Sequence, residues 1–146
     1  MQAFLVKRFL SWAMARLRAG DLRPVTWLDA KDIVFTFPGE TSWGGVFHGK
    51  AAHREWEERF VRCGLQIWPD EVAVSGPPWR TRLAVRGHDQ LSSPEGELVY
   101  ENRYVIWATL RWFRMVEIEV YEDTHKSAAL DAWLAENEHR LAPATA

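Results

Sequence analysis

Four long strand-like runs fill the second half of the chain, and they constrain its fold more than any other feature. They are Leu65–Ser75, Trp79–His88, Leu98–Trp112 and Met115–Asp123. Little sequence separates them, so neighbouring runs are expected to pair as antiparallel strands of one sheet. Helix-like segments precede the runs, and one more helix follows them. This order predicts an α+β fold in which a meander of strands curls around N-terminal helices.

The composition is that of an ordinary globular chain. Its 146 residues are 47% hydrophobic and 26% charged, and the net charge is −2. These values give no reason to expect nucleic acid or a membrane as a partner. No apolar segment approaches the ~20 residues that span a bilayer, and the N-terminus lacks a signal-peptide pattern. We therefore expect one cytoplasmic domain over residues 1–146, with a frayed tail from about residue 140.

Periodicity and turn residues locate the remaining elements. They predict a helix, a short second helix, a strand, a loop and a third helix: Phe4–Leu17, Val25–Leu28, Asp32–Phe37, Glu40–Gly49 and Ala51–Cys63. Glu57 belongs to the charged set of the third helix and is expected to face solvent. The stretch Asp89–Gly96 predicts a polar loop, and a last helix is expected over about Lys126–Glu138.

Alternation in the longest run assigns its two faces. The even positions from Tyr100 to Leu110 are mostly apolar and include Asn102 and Tyr104, so this set is expected to face the helices. The odd positions carry charges together with Trp107. They are expected to form a half-solvated face or a homodimer interface. A catalytic ion pair of Arg103 with Glu119 is the functional alternative, although such cross-strand pairs commonly just stabilise sheets.

The ordered motifs of the chain resemble those of the NTF2-like superfamily, and most of all its SnoaL-like branch. The resemblance rests on Pro38-Gly39, Ser42-Trp43-Gly44-Gly45, Gly49-Lys50, Gly76-Pro77-Pro78-Trp79, Tyr100-Glu101-Asn102-Arg103 and Tyr121-Glu122-Asp123-Thr124. It implies a cone: a curved antiparallel sheet wrapped around the N-terminal helices, with a C-terminal helix, a pocket at the open end and dimerisation through the sheet. Relatives include steroid isomerases, polyketide cyclases, epoxide hydrolases and non-catalytic modules, so the fold alone does not fix the function.

The enzymes of this superfamily supply tests for the chain. The resemblance to the epoxide hydrolases would require an Asp–Arg–Asp cluster, but Asn102, Tyr104 and Val120 stand at the matching positions. A cyclase would need an inner acid or base, and parity predicts no inner carboxylate on the last two strands. Asp123 with Thr124 is expected to cap the final helix instead.

The leading hypothesis is a homodimeric protein that binds a hydrophobic or aromatic small molecule in an apolar pocket. Its predicted lining consists of aromatic side chains for contact and two polar ones for orientation: Trp43, Trp56, Phe60, Trp79, Asn102 and Tyr104. The first alternative is an isomerase or cyclase in which Asp32 or His48 is the base and Tyr104 the proton donor. The second is a non-catalytic interaction module whose tryptophans fill the pocket. No cofactor and no metal are expected, since the spacing of His48 and His53 does not suit one helical face.

Overall fold

Residues 1–141, which the computed structural model describes, fold into four α-helices and one six-stranded sheet. The helices are α1 (Gln2–Arg18), α2 (Arg23–Leu28), α3 (Lys50–Arg62) and α4 (Thr124–Leu141). The strands are β1 (Asp29–Phe37), β2 (Gly45–His48), β3 (Gln66–Ser75), β4 (Thr81–Ser92), β5 (Leu98–Arg111) and β6 (Arg114–Glu122). This is the predicted α+β architecture. The predicted fraying of the tail concerns residues 142–146, which lie outside the described residues.

The strands are ordered β2-β1-β6-β5-β4-β3 across the sheet. Neighbouring strands are antiparallel as predicted, except that β1 and β6 run parallel. The expectation of a wholly antiparallel sheet is therefore wrong at this pair. Parallel neighbours need a long crossover, and here α3 and three strands of the meander separate β1 from β6 in sequence. The strand β2 lies inside the predicted loop Glu40–Gly49, where it pairs with β1.

The register predicted for the long strands is confirmed. Tyr100, Asn102 and Tyr104 are buried on the inner face of β5, whereas Arg103 is exposed on the outer face. Proline within a strand is expected only at a sheet edge or a bulge, and Pro69 fits both, because β3 is an edge strand whose pairing with β4 shifts just after this proline. The faces of the sheet therefore follow from parity in the sequence.

Two boundaries differ from the prediction, and both matter for the site. The strand β4 continues through Asp89 to Ser92, where a polar loop was expected. The strand β1 begins at Asp29, three residues before Asp32. In each case the strand continues past polar residues because they pair with a neighbouring strand. Asp89 pairs with Asn102, and Asp29 pairs with Met115. Within residues 1–141, none of the helices is both long and apolar enough to cross a bilayer.

Candidate acid–base site

Side chains from α1, α2, α3 and the inner face of the sheet surround a cavity of about 130 Å³. Most of its wall is apolar, with aromatic contributions from Phe35, Trp56 and Phe60. Its titratable side chains are four carboxyl groups, one imidazole and one phenol: Asp29, Glu57, Asp89, Glu122, His53 and Tyr104. Among the described residues that line it, none is a lysine or an arginine. The wall therefore combines an apolar surface with several acids.

The first polar group of the wall joins β1 to α3. His53 Nδ1 lies 2.6 Å from Asp29 Oδ2 and 3.5 Å from Glu57 Oε1. All three side chains are more than nine-tenths buried. The imidazole also packs against Phe35, with ring centroids 4.4 Å apart. Glu57 Oε1 is buried and has no hydrogen-bond partner among the described residues.

Helical spacing explains how α3 contributes to the wall. His53, Trp56, Glu57 and Phe60 stand at positions i, i+3, i+4 and i+7, which form one face of a helix. Trp56 and Phe60 pack that face against the core, with ring centroids 5.7 Å apart. Their burial carries His53 and Glu57 inward with them. The expectation that Glu57 faces solvent is therefore wrong, because the apolar neighbours on its own face decide where the helix docks.

Burial and neighbouring charge shift both titrations in this group. Burial alone would lower the pKa of His53, but the hydrogen bond with Asp29 and the charge of Glu57 outweigh it, and the pKa is raised. Burial raises the pKa of Glu57 to about 7, against the opposing attraction of His53. Glu57 is therefore poised between its acid and carboxylate forms near neutral pH.

The second polar group lies on the sheet. Asp89 shares the inner face of β4 with Leu83 and Val85 and is 6% exposed. Its Oδ2 accepts a hydrogen bond of 3.4 Å from the Tyr100 hydroxyl, which in turn accepts one of 3.1 Å from Asn102 Nδ2. Its Oδ1 has no partner among the described residues. Burial, reinforced by the charge of Glu122, raises the pKa of Asp89 to about 8, so the carboxyl is protonated at neutral pH.

Glu122 adds the fourth carboxyl, at the end of β6. It follows Ile118 and Val120 on the inner parity of that strand, and it accepts a hydrogen bond from Ser127 Oγ. Burial raises the pKa of Glu122. The expectation that the last two strands carry no inner carboxylate is therefore wrong. Asp123, by contrast, caps α4 as predicted, since its Oδ1 accepts from the backbone nitrogen of His125 at 3.0 Å.

Tyr104 lines the cavity, but its hydroxyl is bound to the protein. It donates to the Trp68 backbone oxygen at 2.8 Å. Gly87 on β4 makes room for this contact, since any side chain there would occupy the space of the phenol oxygen and the Trp68 carbonyl. Burial raises the pKa of Tyr104 far above its usual range, so the phenol stays neutral.

The other predicted site residues divide into three groups. Trp56 and Phe60 line the cavity, and Asn102 lies behind it, bound to Tyr100 and to the Asp123 backbone oxygen. Trp43 is buried against Trp56, to which it offers a backbone oxygen. Trp79, Asp32 and His48 are exposed and do not line the cavity. In place of Asp32 and His48, the structure brings together Asp29, His53, Glu57, Asp89 and Glu122.

The same cluster is the place in residues 1–141 where a cation could be held. Asp29, His53 and Glu57 each offer one donor atom, and these atoms lie within 4.8 Å of one another. Carboxylate and imidazole donors suit divalent transition metals. In the observed geometry, however, His53 Nδ1 is already within hydrogen-bond distance of Asp29 Oδ2, and a metal would have to replace this contact.

No protein-family profile and no curated protein sequence matches the chain. Solved structures do match. An NTF2-like protein of unknown function from Burkholderia pseudomallei is 21% identical with a TM-score of 0.71, covering 86% of this chain and 95% of its own. TerC, crystallised with polyporic acid, is 22% identical with a TM-score of 0.69, covering 87% and 97%.

A third match is SalBIII, described as an epoxide hydrolase/cyclase-like enzyme of pyran ring formation in salinomycin. It is 18% identical with a TM-score of 0.67, covering 86% of this chain and 97% of its own. At such identities the likeness concerns the fold, and it agrees with the order of elements and the inner face described above. The protein therefore has the NTF2-like fold that its resemblance to the SnoaL-like branch implies.

Proposed function

We propose that the protein is an acid–base catalyst of the isomerase or cyclase type, acting on a compact, uncharged carbonyl compound inside the cavity. One observation carries the proposal. Glu57 and Asp89, from a helix and from the sheet, line the same cavity, and each keeps one buried oxygen without a partner among the described residues. Two carboxyl groups poised near neutral pH in one apolar space are the equipment of general acid–base catalysis.

Glu57 is the proposed base. A general base works best when its pKa lies near the working pH, and burial brings the pKa of Glu57 to about 7. The neighbouring imidazole, held by Asp29, favours the carboxylate form and keeps the group from becoming permanently protonated. In this role Glu57 takes a proton from the carbon next to the ligand's carbonyl group.

Asp89 is the proposed acid. Its pKa of about 8 keeps a proton on the carboxyl at neutral pH, and Oδ1 can present that proton to a ligand. Donation to the carbonyl oxygen stabilises the enol that forms as Glu57 removes the carbon-bound proton. In an unsaturated carbonyl compound, Glu57 can return the proton to another carbon of the conjugated enol, which moves the double bond. Alternatively, the enol attacks a second carbonyl and closes a ring, and Glu57 gives its proton to the new alkoxide. In both cases Asp89 takes back the proton of the enol hydroxyl. The protons balance, since one carboxyl gains what the other gives.

The wall defines the class of ligand. A cavity of about 130 Å³ is close to the ~150 Å³ that accommodates a benzene molecule, so it suits a single ring. Four carboxyl groups and the absence of a lysine or arginine among the described lining residues disfavour an anionic ligand. The aromatic part of the wall favours a flat, apolar ring with one polar end.

Exchange of the α-hydrogens of cyclohexanone in deuterated water tests this proposal. We expect the wild-type protein to accelerate exchange, followed by NMR, and Glu57→Gln to lower the rate about a hundredfold or more. Asp89→Asn is expected to lower it as well. The matched controls are Glu58→Gln and Asp70→Asn, which change exposed neighbours of each acid. Equal exchange by wild type and Glu57→Gln would contradict the assignment of the base.

The mainly apolar wall also supports a second candidate, a binding protein without turnover, which is the leading hypothesis from the sequence. The same experiment separates the two. Line broadening of cyclohexanone by the protein, without accelerated exchange in any variant, would favour binding alone.

A further inference from the structure

Six large aromatic side chains lie exposed at one end of the molecule, which we call the aromatic end. They come from α1, α2, the turn before β4 and the β5–β6 hairpin: Phe4, Trp12, Trp27, Trp79, Trp112 and Phe113. Ring contacts and shared grooves join five of these side chains, all except Phe4. Trp79 and Trp112 rings lie 6.1 Å apart, and Phe113 and Trp27 line a shared apolar groove of about 340 Å³. Contiguous apolar surface of this kind marks an interaction site.

The helix α1 is apolar on two sides, and only one of them is fully buried in the core. Its buried stripe is Leu10, Ala13, Met14 and Leu17. A second stripe, Leu5, Phe9 and Trp12, recurs at helical spacing and lines open grooves instead. A helix inside a globular fold needs one apolar face. Phe9 packs partly against the core, but folding does not explain why Leu5 and Trp12 are apolar, since both are more than half exposed.

The turn of the β5–β6 hairpin, which lies at the aromatic end, contains residues that are unfavourable for such a turn. Trp112 and Phe113 form its two-residue turn with φ of 49° and 65°, a conformation that Asn-Gly adopts readily and bulky residues avoid. They are 66% and 47% exposed, so burial in the core does not offset the backbone strain. Arg111 and Arg114 flank the turn and face each other across the strands, although like charges in this position repel.

Charge identifies the partner. The segments that build most of the aromatic end, α1, Pro78–Arg80 and Arg111–Arg114, contain no acidic residue. They carry seven basic residues instead. Arg16 is paired with Asp21 and Arg18 donates to the Ile67 backbone oxygen, which leaves Lys7, Arg8, Arg80, Arg111 and Arg114 for this surface. The whole-chain charge of −2 hides this local concentration. Tryptophan and phenylalanine framed by arginine and lysine are the side chains that settle at the boundary between lipid headgroups and acyl chains.

We propose that the aromatic end docks on an anionic lipid bilayer, with the Trp112–Phe113 turn and the second stripe of α1 entering the headgroup region. The arginines would bind lipid phosphates and carboxylates, which also relieves the repulsion between Arg111 and Arg114. A second copy of the chain fits less well, because apposing two such ends would bring like charges together. The groove behind this surface shares Leu28 and Met115 with the cavity wall, although docking does not depend on catalysis.

Sedimentation with lipid vesicles tests the proposal. We expect binding to phosphatidylcholine vesicles that contain about a third phosphatidylserine, weaker binding to phosphatidylcholine alone, and loss of the difference at high salt. The double variant Trp112→Asn with Phe113→Asn should weaken binding about tenfold or more while the fold is kept, since asparagine tolerates the turn conformation. Its control is Leu98→Asn, an exposed residue at the far end of the same strand.

Arginine variants separate charge from apolar insertion. Arg111→Gln should weaken binding to the anionic vesicles about fivefold, whereas Arg103→Gln, on the same strand but away from the tip, should not. Equal binding by wild type and the double variant would overturn the proposal. So would a concentration-dependent dimer that the double variant abolishes in sedimentation velocity, because the surface would then belong to a second copy.

Discussion

His53 on the first turn of α3 donates a hydrogen bond from Nδ1 to Oδ2 of Asp29 at the start of β1, across 2.6 Å. Both side chains are more than nine-tenths buried. The bond therefore fixes helix to sheet in the wall of the cavity, and it holds the His53 imidazole beside Glu57.

Asp29→Asn should lower the pKa of His53 and destabilise the fold in a pH-dependent way. The folded-state pKa of His53 is raised above 6.5, so its stabilisation is fully present below that pH and is lost as the pH rises through the folded value. Breaking this buried pair should cost about 3 kcal/mol in acid and less in alkali. NMR titration of the imidazole and urea unfolding at both pH values measure this. Asp32→Asn, exposed on the same strand, should change neither.

Asp89→Asn should make stability less sensitive to alkali. The native state keeps the Asp89 proton up to a pKa of about 8, whereas the unfolded chain releases it near 3.8. Wild-type stability therefore falls as the pH rises between these values. The amide carries no charge, so thermal melts should show the variant gaining on the wild type towards pH ~9. A parallel decline of both proteins would show that Asp89 is ionised in the fold.

Tyr104→Phe should destabilise the protein by about 1 kcal/mol or more, because the buried Trp68 carbonyl loses its hydrogen bond. Tyr121→Phe is the control, since the Tyr121 hydroxyl is exposed. Thermal melts compare the two variants. A Tyr104→Phe protein of unchanged stability with weakened ligand binding would indicate that the phenol instead serves the cavity.

Trp107→Glu should weaken a homodimer formed through the outer sheet face without unfolding the chain. Trp107 is 42% exposed there, next to the exposed Val105 and beneath the guanidinium of Arg82. Sedimentation velocity at micromolar concentration measures the change. A wild-type protein that is already a clean monomer would count against this interface.

Much of the fold could be predicted from alternation alone. The long strands, their faces and the bulge after Pro69 follow from local patterns of the sequence. The parallel pairing of β1 with β6 does not, because nothing local in Asp32–Phe37 specifies which edge it joins.

The site was harder to predict, since its acidic residues are buried although such residues are usually exposed. Asp89 stands in a polar stretch, yet it keeps the parity of Leu83 and Val85. Glu122 likewise continues the parity of Ile118 and Val120, and Glu57 shares a helix face with Trp56. In each case the spacing of the residue indicates an inward side chain, whereas its polarity suggests an exposed one. No spacing pattern predicts the burial of Asp29, because its contact with His53 forms only when β1 and α3 pack together.

The parallel pair also dictates when the site can exist during folding. The strand β1 leaves the ribosome before its neighbour β6, with α3 and the strands β2 to β5 between them. Loop closure over so long a segment is slow and comes late. Before β6 pairs with β1, the part of the cavity wall that β6 forms, including Glu122, is missing next to Asp29 and His53. A chain interrupted before β6 thus retains most of its elements but does not enclose the cavity.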